Sequence, residues 1–191
     1  MIDTVIRLLP QARMPDLEGI STDGYILVTL HHPSNVDDPG MLLQLLRALG
    51  EISKQCQVVF PVHSRTRQRI ERFQSFQSQQ KNILLTEPLG YLEFLALQHN
   101  SKMVITDSGG IQEEGPSLGK PVVVMRDVTE RPEAVEAGTV KLVGTDRDAI
   151  VGECARLLDD EAAYRTMSRA HNPYGDGTAA ERIVKELSRD L

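Results

Sequence analysis

Cysteine is scarce in this sequence, and its two cysteines are not paired by spacing. Cys56 and Cys154 lie far apart and form no Cys-x-x-Cys motif. Structural zinc sites and disulfide frameworks are recognised by several cysteines at short, regular spacings. The sequence therefore indicates neither a zinc site nor a fold held together by disulfides.

Excess positive charge and long apolar runs are also missing. The 191 residues carry a formal net charge of -6, which argues against nonspecific nucleic-acid binding because that requires a basic surface. No stretch approaches the length of a membrane span, and the N-terminus has no charged-then-apolar signal. With an ordinary hydrophobic content of 40%, the chain is expected to be a soluble, cytoplasmic protein that binds neither nucleic acid nor membrane.

The central feature of the chain is a strand–loop–helix–strand pattern within residues 103–133. An apolar, β-branched run at 103–106 predicts a buried parallel strand, and a short helix is predicted at 111–118. Between them, the DSGG sequence at 107–110 consists of residues that cap helices and tolerate unusual dihedral angles. Such a unit directs unpaired backbone N–H groups at the carboxyl edge of the sheet, where a phosphate can bind.

A simpler interpretation is open at this point. Gly109-Gly110 after a strand is often only a tight turn, and Glu113 and Glu114 near a helix start can simply complement the helix dipole. Neither common nucleotide fingerprint is present, since no Gly-x-Gly-x-x-Gly occurs and Pro116 stands where a Walker loop requires lysine. The pattern alone leaves phosphate binding and a structural turn as alternatives.

Strands and helices alternate along the chain. Strands are predicted at residues 25–29, 58–62, 83–86, 103–106, 122–125 and 139–143. A loop is predicted at 30–35, followed by a helix from Pro39 whose apolar residues share one face: Leu42, Leu45, Leu46, Leu49 and Ile52. A helix from 64 to about 76 runs into a Gln/Ser-rich polar loop at 74–80. This alternation predicts an α/β fold with a doubly wound, Rossmann-like parallel sheet. Residues 1–24, where prolines and glycine interrupt a helical pattern, are expected to be a hinge or linker, and residues 25–191 the domain with its C-terminal helices.

Several unusual motifs in a fixed order carry a resemblance to a known family. They are DSGGIQEE at 107–114, PSLGKPV at 116–122, MRD at 125–127, TERPEA at 129–134, EAGTVKLVGTD at 136–146 and HNPYGDG at 171–177. Together they resemble the non-hydrolysing UDP-N-acetylglucosamine 2-epimerases. The resemblance covers essentially the whole chain but only the C-terminal half of the family's protein.

The resemblance implies a fold, a reaction and partners. The chain would be one of the two domains of a glycosyltransferase-B-type architecture, with residues 1–24 at the hinge between them. The family interconverts UDP-N-acetylglucosamine and UDP-N-acetylmannosamine by removing the proton at sugar carbon 2, expelling UDP to give a glycal, and adding UDP back. No metal or other cofactor is implied. The full-length enzyme is expected to be a homodimer, with its catalytic carboxylates in an N-terminal domain missing from this chain.

The resemblance also assigns phosphate contacts. His31, just past the first strand, would contact the diphosphate and could give a proton to the departing β-phosphate as a catalytic residue. Ser108, Gly109 and Gly110 would offer a hydroxyl and backbone N–H groups to the phosphates, and Arg131 would meet the sugar or a phosphate. Judged without the resemblance, a lone histidine in a loop is more often inert than catalytic.

The nucleoside contacts implied by the resemblance are an aromatic ring and a carboxylate. Phe94 would contact the uracil ring, and Glu114 would accept hydrogen bonds from the ribose hydroxyls. Helical propensity alone would instead place Phe94 in the core.

Some positions depart from the family pattern. His32 stands where most relatives have arginine, and that arginine, together with the histidine matching His63, belongs in some members to a second, regulatory UDP-N-acetylglucosamine contact. His32 and His63 are therefore candidates for an allosteric site, although a neutral imidazole holds a diphosphate less firmly than a guanidinium does. Ser34 replaces a glutamate of many members, and Leu89 replaces a polar residue of some.

Three further functions stay open beside the epimerase interpretation. The chain could be an isolated nucleotide-sugar binding module without turnover, because it contains no evident pair of catalytic carboxylates. It could also be the donor domain of a glycosyltransferase, where a ribose contact like that of Glu114 occurs. A hydrolysing epimerase, which releases UDP and free N-acetylmannosamine, is the third alternative.

Overall fold

The computed structural model of the chain describes residues 1–73 and 82–189. Its strands are β1 (Tyr25–Thr29), β2 (Gln57–Pro61), β3 (Ile83–Thr86), β4 (Met103–Thr106), β5 (Val122–Val124) and β6 (Val140–Leu142). Its helices are α1 (Ile2–Leu8), α2 (Pro33–Val36), α3 (Pro39–Ile52), α4 (Ser64–Ile70), α5 (Tyr91–Asn100), α6 (Gly109–Ser117), α7 (Pro132–Glu136), α8 (Arg147–Asp159), α9 (Glu161–Ser168) and α10 (Ala179–Leu187). A short 3-10 helix, Leu9–Gln11, follows α1.

The strands form one parallel sheet in the order β3-β2-β1-β4-β5-β6. The order reverses between β1 and β4, which are paired in register at Val28 and Ile105. The predicted doubly wound parallel sheet is thereby confirmed. In such a sheet, ligands bind in the crevice beyond the carboxyl ends of the two strands at the reversal.

Helices cover both faces of the sheet, so the central strands are apolar on both sides. Ile26 and Val28 of β1 pack with the leucines of α3 on one face, whereas Leu27 packs with Leu97 of α5 on the other. The predicted inward face of α3 is confirmed by the full burial of its apolar positions Leu42, Leu45, Leu46, Leu49 and Ile52. The core therefore holds the carboxyl edge of the sheet as a rigid base for the loops above it.

The N-terminal segment begins with a helix that packs on the domain. Ile2 and Val5 of α1 are buried, and α1 lies against α6. The Asp3 carboxylate accepts a hydrogen bond of 2.7 Å from the backbone N–H of Ala180 at the start of α10. The helix suggested by the apolar spacing is confirmed, and the hinge role of residues 1–24 stays a prediction.

Two predicted features fall partly or wholly outside the described residues. The helix predicted from 64 to about 76 is observed as α4, which ends at Ile70, and the part of the prediction beyond Phe73 lies outside the described residues. The predicted polar loop at 74–80 lies there entirely.

Candidate functional site

A cavity of about 230 Å³ opens beyond the carboxyl ends of β1, β2 and β4. Its lining comes from the ends of two strands, from four segments that follow strands and from two helices: Thr29, Leu30, His31, Pro61, His63, Pro88, Leu89, Phe94, Ser108 and Ile111. It thus lies at the reversal of strand order, where the topology predicts a ligand. Four of the sequence-predicted site residues line it: His31, Phe94 and Ser108 of the expected UDP site, and His63, an allosteric candidate.

The loops around this cavity are joined by the carboxylate of Asp107, which is 1% exposed. It accepts hydrogen bonds from the backbone N–H groups of His31 (3.0 Å) and His32 (2.7 Å) and from the side-chain amide of Asn35 (3.3 Å). The Nδ1 atom of His31 is 3.6 Å from Oδ1 of the same carboxylate. One buried acceptor at the end of β4 therefore fixes the segment that follows β1.

Sequence reasoning missed this role of Asp107. It treated Asp107 only as one of the residues that end a strand and precede a helix. The available signal was its position directly after a buried strand, because a carboxylate there can reach the neighbouring strand's loop. The loop predicted at 30–35 also contains the start of the short helix α2, beginning at Pro33, and Asn35 of this helix is buried.

The N-terminus of α6 faces the same edge of the sheet. Ser108 precedes the helix, and its backbone N–H donates to Thr106 Oγ1 at 3.0 Å, which leaves Gly109 and Gly110 as the first helical residues. The backbone N–H groups of a first helical turn have no partner within the helix and attract anions. A Cβ atom built on Gly109 would lie 2.5 Å from Oε1 of Glu130, so this exposed carboxylate lies beside the helix start.

The two histidines named as allosteric candidates lie in different places. His63 precedes α4 and faces His31, with 6.0 Å between the ring centroids. The Nδ1 atom of His32 is instead 2.8 Å from Ser34 Oγ, and His32 lines a separate cavity of about 340 Å³ with Arg126 and Asp127. The structure therefore does not bring His32 and His63 together.

Phe94 lies between the core and the cavity. It is partly buried and packs against the core residues on the α5 face of the sheet, while it also lines the cavity. Its position leaves part of the ring accessible to a flat ligand.

Glu114 lies in the second turn of α6, three residues after Ile111 of the cavity lining, so both lie on the same side of the helix. Its carboxylate is buried, and Oε1 accepts a hydrogen bond of 3.1 Å from the Tyr91 hydroxyl. Burial raises the pKa of Glu114 above its ordinary value, because desolvation penalises the charged form. The tyrosine was not among the residues predicted from sequence.

Arg131 lies outside the cavity lining. Its Nε atom donates to Oε1 of Glu113 at 2.5 Å, and its Nη1 atom donates to the carbonyl oxygen of Glu130 at 3.0 Å. The hydrogen bond that Arg131 donates to Glu113 raises the pKa of Arg131 above its ordinary value. The guanidinium is thus held against Glu113 of α6 and the backbone of Glu130.

Neither a membrane-spanning helix nor a metal-binding cluster is found among the described residues. Over 1–73 and 82–189, no helix is both long and apolar enough to cross a lipid bilayer. The same residues contain no cluster of three or more histidine, cysteine or acidic side chains suited to hold a metal ion.

Comparisons with known proteins show that the chain is similar to UDP-N-acetylglucosamine 2-epimerases. Residues 1–188 match the family model described as UDP-N-acetylglucosamine 2-epimerase. The UDP-N-acetylglucosamine 2-epimerase of Escherichia coli O157:H7 is 53% identical over 150 residues, which are 77% of this chain and 40% of that protein.

Solved structures give the same result. The UDP-GlcNAc 2-epimerase from Neisseria meningitidis bound to UDP-GlcNAc superposes with a TM-score of 0.86 at 37% identity, covering 98% of this chain and 53% of that one. The Methanocaldococcus jannaschii enzyme in complex with UDP-GlcNAc and UDP gives a TM-score of 0.81 at 34% identity, covering 98% and 52%. The chain therefore spans about half the length of the relatives it matches.

Proposed function

Because the chain belongs to the UDP-N-acetylglucosamine 2-epimerase family, we propose that it forms the UDP-binding half of an enzyme that interconverts UDP-N-acetylglucosamine and UDP-N-acetylmannosamine. The observation that carries the proposal is the cavity at the reversal of strand order, which is lined by His31, Phe94 and Ser108. Relatives with the same fold have been solved with UDP-GlcNAc or UDP bound.

In the proposed complex, the nucleotide runs from Phe94 to the start of α6. The uracil ring lies against Phe94, and the ribose hydroxyls donate to Glu114. The phosphates meet the N-terminus of α6 at Ser108, Gly109 and Gly110, where the unpaired N–H groups and the helix dipole favour an anion. This order follows the geometry of the edge, because Phe94 and Ser108 line one cavity and Glu114 lies beside it.

His31 is the residue we assign to the chemistry of the leaving group. When the bond between the anomeric carbon and UDP breaks, negative charge accumulates on the β-phosphate, and a hydrogen bond or proton from His31 stabilises it. The Asp107 carboxylate accepts a 3.0 Å hydrogen bond from the His31 backbone N–H. This bond fixes the backbone position from which the imidazole side chain extends. On addition of UDP back to the glycal, the same imidazole recovers the proton.

Removal of the proton at sugar carbon 2 needs a base, and we assign this role to a carboxylate and not to His31 or His63 of the cavity. Its lining, as far as the structure describes the chain, contains no aspartate or glutamate. We therefore assign the catalytic carboxylates to the other domain of a two-domain, glycosyltransferase-B-type enzyme, about half of whose length this chain represents. The proposal includes the expected homodimer and cytoplasmic location.

A second candidate function is nucleotide-sugar binding without turnover. The same absence of a carboxylate from the cavity lining favours it for this 191-residue chain. The two candidates differ only in turnover and agree on the ligand.

Isothermal titration of the chain with UDP tests the site that both candidates share. We expect saturable binding of UDP and at least about tenfold weaker binding of ADP, since the purine does not fit the uracil position beside Phe94. Equal affinities for UDP and ADP would contradict the proposed site.

Phe94→Ala is expected to weaken UDP binding by about ten- to 100-fold, because stacking of a base on an aromatic ring contributes about 1–3 kcal/mol. Leu92→Ala, on the exposed side of the same helix, is the matched control and should bind UDP like the unmodified chain. Circular dichroism confirms that both variants fold. Unchanged affinity in a folded Phe94→Ala variant would mean that the ring serves only the core.

We place the Arg131 guanidinium next to the sugar or a phosphate of UDP, so Arg131→Ala is expected to weaken UDP binding by about three- to tenfold. The domain should stay folded, because the side chain is partly exposed. Arg131→Ala also removes the ion-pair partner of Glu113. Glu113→Gln is therefore the control, because it weakens the same ion pair but keeps the Arg131 side chain. Titration of both variants with UDP separates the effects. If Glu113→Gln loses as much affinity as Arg131→Ala, Arg131 acts only through the ion pair.

A further inference from the structure

The carboxylate of Glu114 is held from one side only. Tyr91 is the first residue of α5, and its hydroxyl crosses to α6 and donates to Oε1 of Glu114 at 3.1 Å. Among the described residues, no hydrogen bond reaches Oε2 of the same carboxylate. One oxygen is therefore fixed by the protein, and the other is left to accept from a ligand.

Burial, neighbouring charges and a hydrogen bond act on the pKa of Glu114 in different directions, and the Tyr91 hydrogen bond is one of the influences that lower it. Burial raises the pKa of Glu114, and the neighbouring Glu113 raises it further, whereas the Tyr91 hydrogen bond and the amino group of Met1 lower it. Burial and the nearby Glu114 charge raise the pKa of Tyr91 to about 12, so its hydroxyl keeps its proton at neutral pH. Tyr91 is thus a constant donor that favours the ionised acceptor.

The location of the pair connects it to the cavity. Tyr91 lies three residues before Phe94 on α5, so the two side chains are neighbours on the helix surface. Glu114 lies three residues after Ile111, which lines the cavity. A nucleoside whose base lies on Phe94 consequently has its sugar next to the Tyr91–Glu114 pair.

We propose that Tyr91 is a positioning residue that holds Glu114 for a ribose hydroxyl and thereby sets a preference for ribonucleotides over deoxyribonucleotides. This inference rests on the proposed function, in which the ligand is a uridine nucleotide. A carboxylate fixed at one oxygen loses little further conformational entropy when its other oxygen accepts a hydrogen bond from a hydroxyl. The net contribution of that hydrogen bond to binding is therefore larger. A ligand without the hydroxyl covers that oxygen and leaves it unpaired, and sites of this kind discriminate strongly against such analogues.

The test compares UDP with 2′,3′-dideoxy-UDP, which lacks both ribose hydroxyls. Titration calorimetry on the full chain is expected to show that UDP binds at least about tenfold more tightly. Tyr91→Phe removes only the hydroxyl and should reduce this preference to about threefold or less, because UDP affinity falls and dideoxy-UDP affinity does not. Tyr164→Phe is the matched control, since its hydroxyl donates to the carbonyl oxygen of Lys102 away from the cavity.

The outcomes separate the inference from the function on which it rests. A preference lost in Tyr91→Phe and kept in Tyr164→Phe supports the positioning role. A Tyr91→Phe variant that weakens both ligands equally, or that keeps the full preference, overturns that role and leaves the UDP site intact. If the unmodified chain binds both ligands equally, the ribose contact is wrong while UDP binding stands, and if it binds neither, the proposed function fails as well.

Discussion

Asp107→Ala is expected to lower the free energy of unfolding by about 3 kcal/mol, since three donors to a buried carboxylate lose their acceptor. The segment after β1, which contains His31, and the end of β4 would then no longer be held together. UDP affinity in the remaining folded protein should fall by about 100-fold, because displacements of about 1 Å at a positioned site have effects of this size. Urea denaturation measures the first effect, and calorimetric titration with UDP measures the second.

Two variants make the Asp107 result specific. Asp107→Asn keeps the shape but replaces one acceptor oxygen by a donor, so it should lose a large part of the same stability. Asp127→Ala removes an exposed carboxylate from the loop after β5 and should change the free energy of unfolding by no more than about 0.5 kcal/mol. A stable Asp107→Ala variant that still binds UDP would show that the buried carboxylate does not organise the site.

Gly109→Val is expected to weaken UDP binding by about 100-fold while the domain stays folded, because it places branched carbon atoms at the helix start where phosphate approaches. The new side chain would meet Oε1 of Glu130, the end of an exposed side chain that is ion-paired with Arg126, and a small shift of this surface pair accommodates it. The backbone of Gly109 is ordinary helix, and valine adopts it without backbone strain. Titration with UDP and thermal unfolding together measure the two quantities.

Gly115→Ala, six residues along the same helix, is the opposite case. Its added Cβ would lie 2.5 Å from Cγ2 of the buried Val122 on β5, where no flexible side-chain end can give way. Overpacking of this kind costs about 1–3 kcal/mol of stability, while the folded fraction should keep its UDP affinity. If Gly109→Val instead loses stability and leaves affinity intact, the glycines after β4 are a structural turn and not a phosphate site.

The strands were predictable because each one has a pattern that depends little on its neighbours. Apolar, β-branched runs bounded by turn residues gave β1, β3 and β4 at their observed bounds and the remaining strands within one or two residues. The inward face of α3 followed from helical spacing in the same way. Strand alternation with helices then limits the topology to a doubly wound sheet.

The side-chain arrangement of the candidate site could not be predicted in this way. The hydrogen bonds of Asp107 join residues 72 to 76 positions apart, and those of Tyr91 to Glu114 join positions 23 apart. Such contacts depend on how α5, α6 and the segment after β1 meet above the sheet, which no local pattern records. That His32 and His63 line different cavities was likewise not indicated by the sequence.

The most direct test of the central claim is proton NMR of UDP-N-acetylglucosamine incubated with the 191-residue chain, following ligand line widths and anomeric signals together. If this domain binds UDP and the carboxylates that act on carbon 2 lie in another domain, as we propose, the nucleotide and anomeric signals broaden and no new sugar appears. A growing UDP-N-acetylmannosamine signal would contradict the assignment of the catalytic carboxylates to another domain. Sharp, unchanged signals at ligand concentrations up to the millimolar range would contradict the nucleotide site itself.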